Sequence, residues 1–421
     1  MPKPQPSIPH AAAPASAAPP PSPASAKVLA LSDDLLAEIL IRLRTLADLG
    51  RARASCAAFR RVVADRAFLR RLHALHPPSL LGFHTLSGGF QPAEPPHPSA
   101  PAARDLAAAA DFSFSFLPSV GFWMVRDARG GRVLLDCDER KNGTFTTVAV
   151  CDPLFRRYVL LPPIPRELAA AVQQPHLASV ERRCDVFFAP GGKEEAAAAA
   201  GPSKPFSVVW MAQCPTKLVA FVFSSASAQW QAIAYPCWRD LNPDMPAKTE
   251  RRSLSCRSYA YGRFYWLLSN FPRSSKLIAL DMIRMEFSPV NVPSEYRVEE
   301  FAIVELGESR LGMFASSSIE GSVLKLFSAD SENHGEGPNN WELQKDILLP
   351  PSYRYYMLGG VDGQLLLQRT PNASHAPEFG CFSLDFKTFL LRSIRGMLKS
   401  GYRPHAALHT GYPPSLSLPT I

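Results

Sequence analysis

Asp152-Pro-Leu-Phe-Arg-Arg-Tyr-Val-Leu-Leu-Pro-Pro163 joins the end of one apolar strand, through a polar turn, to an aromatic-led second strand closed by proline. The pattern recurs along the chain. Alternating strands reach a small polar residue at Asp152, Ser224 and Asp281; an aromatic follows at Tyr158, Trp230 and Phe287, and proline closes at Pro165, Pro236 and Pro293. A copy with a longer loop runs through Ser328, Trp341 and Pro350, and a degraded one through Asp385, Phe389 and Ile394. The underlying period is roughly 45 to 50 residues, in the range of propeller-type repeats. The Gly- and Ala-rich insert from Gly191 to Gly201 accounts for the widest gap as a disordered loop near 190–205.

Earlier hairpins precede several copies: Trp123 to Cys137 turning at Arg129-Gly130-Gly131, Tyr259 to Leu268 turning at Gly262, and Tyr356 to Leu367 turning at Asp362-Gly363. A hairpin plus two further strands gives four strands per repeat, the unit of a β-propeller, whose blades cover one another's faces and leave only short edges. A sixth blade can be assembled from strand-like Leu80 to Thr85 and Phe112 to Leu117, with the tail Pro413 to Ile421 returning to close the ring. The predicted fold class is therefore α+β multidomain: a small all-α module followed by an all-β domain, a six-bladed β-propeller-like ring. A β-sandwich with long loops satisfies the same strand pattern. The copies lack the Gly-Gly doublet of kelch blades and the Trp-Asp ending of the forty-residue class.

Upstream of the strands, Leu35, Leu36, Ile39, Leu40 and Leu43 recur at three- and four-residue steps, predicting a helix from about Asp33 to Leu43. Ser32 is its N-cap, Leu31 and Leu36 form a hydrophobic staple, and Asp33 and Asp34 complement the helix dipole. Thr45 with Asp48 predicts a second capped helix, and Asp65 caps another before Phe68, Leu69 and Leu72. Three or four short helices fit between Leu31 and Leu75. The domain reading is thus 1–26 disordered tail, 27–76 helical module, 77–110 linker with one candidate strand, and 111–421 propeller.

The helical module resembles the F-box family. Leu31-Ser-Asp-Asp-Leu-Leu-Ala-Glu-Ile-Leu-Ile-Arg-Leu43 matches the family's opening, with Ser32 in place of proline, and Cys56-Ala-Ala-Phe59-Arg60-Arg61-Val62-Val63 matches its later segment, with Phe59 where tryptophan is usual. The propeller half resembles the associated domain of plant, grass-type F-box proteins, in Asp152 to Pro163 and in the ending Gly411 to Pro419. The resemblance implies a substrate-recruiting subunit of a Skp-cullin-F-box ubiquitin ligase. It further implies that Leu31, Ser32, Leu35, Leu36, Ile39, Leu40, Leu43, Cys56, Phe59 and Val62 face the Skp-type adaptor, or support that contact, while the propeller holds an unknown client protein. The alternative is a scaffold whose F-box has drifted from ligase work, Ser32 and Phe59 being its early signs.

Composition bounds the remaining classes. With 421 residues, 46% hydrophobic and 10% aromatic, the chain can fill two ordered domains. Residues 1–26 are Pro-, Ala- and Ser-rich and contain no secretory apolar core. No run is long and apolar enough to span a bilayer, so no membrane partner is expected and the expected location is intracellular, in cytoplasm or nucleus. The eight cysteines are scattered singly, which predicts buried reduced thiols, and Asn142 and Asn372 head chance glycosylation patterns. Arginines crowd residues 42–71, opposed there only by Asp48 and Asp65, and much of the net charge of +8 lies in this stretch. Such a field suits nucleic acid or an acidic protein, but the dominant apolar stripe favours a protein partner and no nucleic acid. A solvated arginine face is the plain alternative.

No nucleophile elbow, phosphate loop, dinucleotide fingerprint or His-Glu-x-x-His motif occurs, so neither catalysis nor a cofactor is expected. His73 and His76 are three apart without a third ligand nearby, so no metal is expected either. A sugar- or lactone-cleaving propeller would need carboxylates converging on the central channel. Most of Trp123, Trp210, Trp230, Trp238, Trp266 and Trp341 are expected in the sheet core, a recognition face being the alternative for any of them.

Overall fold

A computed structural model describes residues 31–43, 46–76, 78–85, 89–118, 121–138, 145–172, 184–190, 205–243, 245, 254–268, 276–293, 298, 300–316, 322–330, 340–351, 353–361, 363–371, 380–395 and 407–421. The tail 1–26, the insert 191–201, Thr45, Asn142 and Asn372 lie outside them. The chain divides into two units, Met1–Leu75 and His76–Ile421.

The first unit contains helices α1 (Asp33–Leu40), α2 (Leu46–Ser55), α3 (Ala57–Ala64) and α4 (Arg66–Leu75). Ser32 is extended and its hydroxyl accepts the Leu35 N–H at 3.4 Å. Asp65 Oδ1 accepts from Ala67 and Phe68 N–H at 2.8 and 2.9 Å, starting α4 as its position predicts. α1 stops three residues before the predicted Leu43: Arg42 and Leu43 donate to Ile39 and Leu40 carbonyls at 3.2 Å, bonds of the shorter i→i−3 type that tighten and end a helix. Leu36, Leu40, Leu49, Val62, Val63, Phe68, Leu69 and Leu72 are buried together.

The second unit is a six-bladed β-propeller. It opens with β1 (Ser79–His84), β2 (Phe90–Pro92) and α5 (Ala100–Ala109). Five four-stranded blades follow: β3 (Phe122–Arg129), β4 (Arg132–Asp138), β5 (Thr147–Asp152), β6 (Arg157–Leu160); then β7 (Cys184–Ala189), β8 (Ser207–Gln213), β9 (Leu218–Ser224), β10 (Gln229–Ala232); then β11 (Leu254–Ala260), β12 (Arg263–Leu268), β13 (Lys276–Asp281), β14 (Glu286–Asn291); then β15 (Glu300–Glu305), β16 (Arg310–Ser316), β17 (Val323–Asp330), β18 (Glu342–Leu348); then β19 (Tyr353–Val361), β20 (Gln364–Pro371), β21 (Gly380–Asp385), β22 (Leu391–Arg395). The sixth sheet has the order β2-β1-β23, with β23 spanning Ala407–Gly411. Each four-stranded blade is an antiparallel meander whose first strand lies innermost, and β3, β11, β15, β19 and β23 approach their neighbours around the channel. Middle strands are covered on both faces by adjacent blades and so read as continuous apolar runs, whereas β6 is exposed along its whole length.

The sequence repeat is the outer hairpin of each blade. Asp281 Oδ1 accepts from Ile283 and Arg284 N–H, both at 2.9 Å; Asp385 Oδ1 accepts from Lys387 and Thr388 N–H, and Asp152 Oδ1 from Phe155 N–H. Four residues after the anchor the chain turns left-handed, at Arg156, Ala228, Met285 and Phe389, with φ between 52° and 56°. The aromatic two positions later pairs across the hairpin: Tyr158 opposite Cys151, Trp230 opposite Phe223, Phe287 opposite Leu280. Two copies differ. Ser328 lies inside β17 opposite Glu342, so the equivalent of the aromatic is Leu343, not Trp341; in the last blade it is Leu391, and Phe389 occupies the turn.

Ring closure also differs in detail. Leu80 to Thr85 is the predicted strand, but the partner returning from the far end is β23, not the tail after Pro413. Pro413, Pro414 and Pro419 lack the N–H groups a ladder requires, and the tail forms a short 3-10 turn instead. Phe112 to Leu117 is no strand, because Asp111 gathers the Ser113 N–H and the Ser113 and Ser115 hydroxyls into a turn and Phe114 is left-handed. The stretch read as a linker, 77–110, supplies β1, β2 and α5, and Leu80, Leu81, Phe83, Ala103 and Leu106 pack with Leu366 and Ile394.

Candidate functional site

On α1 the apolar stripe is divided. Leu36 and Leu40 point into the helical core at 1% and 3% exposure, while Leu35 and Ile39, one turn apart, each expose 53%. Leu31 and Leu43 are half-buried and Ser32 is exposed. Cys56 and Phe59 are half-buried at the start of α3, where Cys56 Sγ accepts the Phe59 N–H at 3.4 Å, and Val62 is buried. Of the predicted adaptor residues, Leu36, Leu40 and Val62 therefore support the fold, whereas Leu35 and Ile39 form an outward apolar pair.

Ion pairs frame that pair. Arg61 on α3 grips both carboxylate oxygens of Asp33 at 2.8 and 2.6 Å, Arg71 on α4 bonds Glu38, and Arg51 bonds Asp48. The Arg61 and Arg71 hydrogen bonds hold the Asp33 and Glu38 carboxyls below the usual range. All of these groups are exposed, so the pairs orient helices rather than stabilise them strongly. The arginine-rich stretch is thus partly neutralised by carboxylates on the preceding helix, which a window starting at residue 42 misses.

In the propeller, the turns between first and second and between third and fourth strands lie at one mouth, because the blades are antiparallel meanders; the remaining connections gather at the other. Between the mouths, the inner strands of three blades converge on Arg257 of β11. Its guanidinium reaches Asp185 of β7 at 2.7 Å and Asp127 of β3 at 3.4 Å, and lies 4.4 Å from the centre of the Phe187 ring. Asp127 also accepts the Phe188 N–H at 2.9 Å. Burial pushes the Asp127 carboxyl up against the opposing pull of Arg257. Carboxylates do converge near the channel, but around an arginine that spans three blades. No linear motif carried that signal.

The tryptophans serve the fold. Trp210, Trp230, Trp238 and Trp266 are buried, and Trp230 and Trp341 donate from Nε1 to the Pro162 and Asn291 carbonyls of the preceding blade at 2.8 and 2.9 Å. Trp123 is half-buried and donates to Pro118. α4 ends at Leu75, so His76 does not share its helix with His73. None of the eight cysteines forms a disulfide; Cys137, Cys151, Cys214 and Cys381 are buried, Cys56, Cys184 and Cys256 half-buried, and Cys237 is exposed, contrary to the uniform burial expected. Cys237 is the N-cap of a helical turn, Trp238–Leu241, that buries its neighbour Trp238 instead. Among the described residues no three His, Cys, Asp or Glu side chains are grouped to hold a metal ion, and no helix is long and apolar enough to cross a membrane.

No family model matches the chain, and no curated protein matches it. Among solved structures, the nidogen/laminin complex aligns with 79% of this chain and 97% of that one at 8% identity and a TM-score of 0.37. A putative TolB from Agrobacterium tumefaciens aligns with 67% and 84% at 8% identity and a TM-score of 0.37. The β-propeller domain of the Trilobed protease from Pyrococcus furiosus aligns with 67% and 72% at 9% identity and a TM-score of 0.33.

Proposed function

We propose that this protein is a non-catalytic, client-recruiting subunit of a Skp-cullin-F-box ubiquitin ligase. The observation that carries the reading is the outward pair Leu35 and Ile39, each 53% exposed on a helix whose other large apolar residues, Leu36 and Leu40, are buried. Two large aliphatic side chains one turn apart, framed by paired charges, suit the groove of a helical partner. The F-box-like order of residues from Leu31 to Val63 supports a Skp-type adaptor as that partner and, through it, cullin. The exposed Arg60, Arg66 and Arg70 favour an acidic surface on it.

The propeller then holds a client protein at the mouth bearing the longer connections, where side chains vary without cost to the blades. Mechanism is proximity alone: tethering raises the client's effective concentration near the conjugating enzyme to about the millimolar range. The protein acts inside the cell, in cytoplasm or nucleus, and needs neither cofactor, nucleic acid nor membrane. The test is co-purification of the full chain with a plant Skp-type adaptor at two salt concentrations. Stable binding by the native chain and its loss in Leu35→Asp, Ile39→Asp supports the reading; failure of the native chain to bind sinks it and leaves the scaffold.

A further inference from the structure

Residues 418–421 lie against the first blade without joining any sheet. Thr420 donates its N–H and its hydroxyl to Asp152 Oδ2, at 2.8 and 2.7 Å, and its carbonyl accepts from Arg132 Nε at 3.0 Å. Arg157 Nη1 donates to the Ile421 main-chain oxygen at 3.1 Å. The Ile421 side chain packs on the apolar cluster between the first two blades, which includes Leu134, Val208 and Phe223. Arg132 also reaches the Pro205 carbonyl at 3.4 Å and lies 5.1 Å from the centre of the Phe206 ring.

Two features distinguish this from an ordinary packed tail. First, its central groups are built in: Asp152 is 1% exposed and Arg132 7%, and both sit at strand ends fixed by the blade. A charge buried that deeply is costly unless its hydrogen-bonding capacity is met, and among the described residues Asp152 Oδ2 is met by the Thr420 N–H and hydroxyl. Second, the propeller is complete without the tail. β3 to β6 are fully paired, and β23 has already closed the ring before Tyr412. The bonds made to Thr420 and Ile421 go to main-chain atoms and one hydroxyl, groups that an extended peptide of any origin presents.

We infer that the cleft formed by Asp152, Arg132, Arg157 and the apolar cluster is a peptide-binding site, and that the protein's own 418–421 segment occupies it as an exchangeable ligand. The class it takes is an extended segment with a hydroxyl residue followed by an aliphatic one: the hydroxyl and its N–H satisfy Asp152, the main-chain oxygens satisfy the two arginines, and the aliphatic side chain fills the apolar slot. The cleft stands on the propeller alone, whether or not α1 binds an adaptor.

The test uses a fluorescent Ser-Leu-Pro-Thr-Ile peptide, followed by anisotropy, with three proteins: the full chain, the chain shortened by Leu418 to Ile421, and the full-length Thr420→Val variant. The shortened chain should bind saturably, the full chain at least ten-fold more weakly because its site is filled, and Thr420→Val in between. In the shortened chain, Asp152→Asn should weaken binding at least ten-fold, as should Thr→Val in the peptide, and the peptide should raise the melting temperature of the shortened chain. Absence of saturable binding to folded shortened chain and folded Thr420→Val overturns the inference. So does failure of both to fold, which would make the segment a structural part of the blade rather than a ligand.

Discussion

His84 on β1 and His409 on β23 meet at 3.1 Å between Nε2 and Nδ1, ringed by Phe90 and Phe112. Burial keeps both imidazoles neutral, pushing His84 well below its ordinary value and His409 down to about 4. A folded value below the unfolded one means the stabilisation is fully present above the unfolded value of 6.5 and is lost as pH falls through about 4. His409 alone should therefore remove about 3 kcal/mol between pH 7 and pH 4, measured by urea denaturation at stepped pH; a pH-independent midpoint refutes this. Arg257 is the second test. Its side chain, Asp127 and Asp185 keep only 20–21% of their surface, so Arg257→Ala removes the cation that bridges two crowded carboxylates and should cost about 3 kcal/mol in the same assay. Neither cluster was legible in sequence, since each joins residues far apart in the chain, His84 with His409 and Asp127 with Asp185 and Arg257. The caps Ser32 and Asp65 were legible, because a cap and the N–H groups it accepts lie within three residues.

At the scale of elements, α1 shows what periodicity conveys. A stripe of Leu35, Leu36, Ile39, Leu40 and Leu43 predicts a helix correctly, but its width hides two faces, and only the packing of α3 and α4 assigns Leu36 and Leu40 to the inside. The two sets of variants should behave differently. Leu35→Asp, Ile39→Asp should leave the thermal unfolding of the chain within about 1 kcal/mol of native, since these side chains are half or more exposed. Leu40→Asp, at a site 3% exposed, should unfold the helical module, read as loss of helical circular dichroism. In the closing sheet, Gly82 sits where the β1–β23 register shifts, and a Cβ there would lie 2.2 Å from the Gln91 carbonyl oxygen. Gly82→Ala should therefore force β2 off β1 and cost several kcal/mol, of the order of other overpacked sites; a melting temperature unchanged from native would contradict that close approach. The outer-hairpin repeat was readable because one turn is used in several blades: an Asp or Ser anchor, a left-handed residue four positions on, an aromatic two later.

For the whole molecule, the ring is sealed by strands from opposite ends of the propeller unit, β1 near its start and β23 near its end, so neither can close a blade alone. A chain ending after Arg395 lacks the innermost strand of that sheet, and we expect its propeller to lose its single cooperative thermal transition and to bind a hydrophobic dye; a sharp native-like transition would show that β23 is dispensable. By itself, the sequence determined the class and its repeat: helices first, then blades with alternating strands and tight turns, because caps, periodicities and turn residues act over a few positions. It also placed the apolar stripe of α1. Tertiary structure alone decided that β23 rather than the proline-bearing tail closes the ring, that Leu35 and Ile39 are the outward members of their stripe, and that Asp152 and Arg132 face residues 420–421. Each of these depends on contacts between residues tens to hundreds of positions apart, where burial and competing hydrogen-bond partners, not local preference, set the outcome.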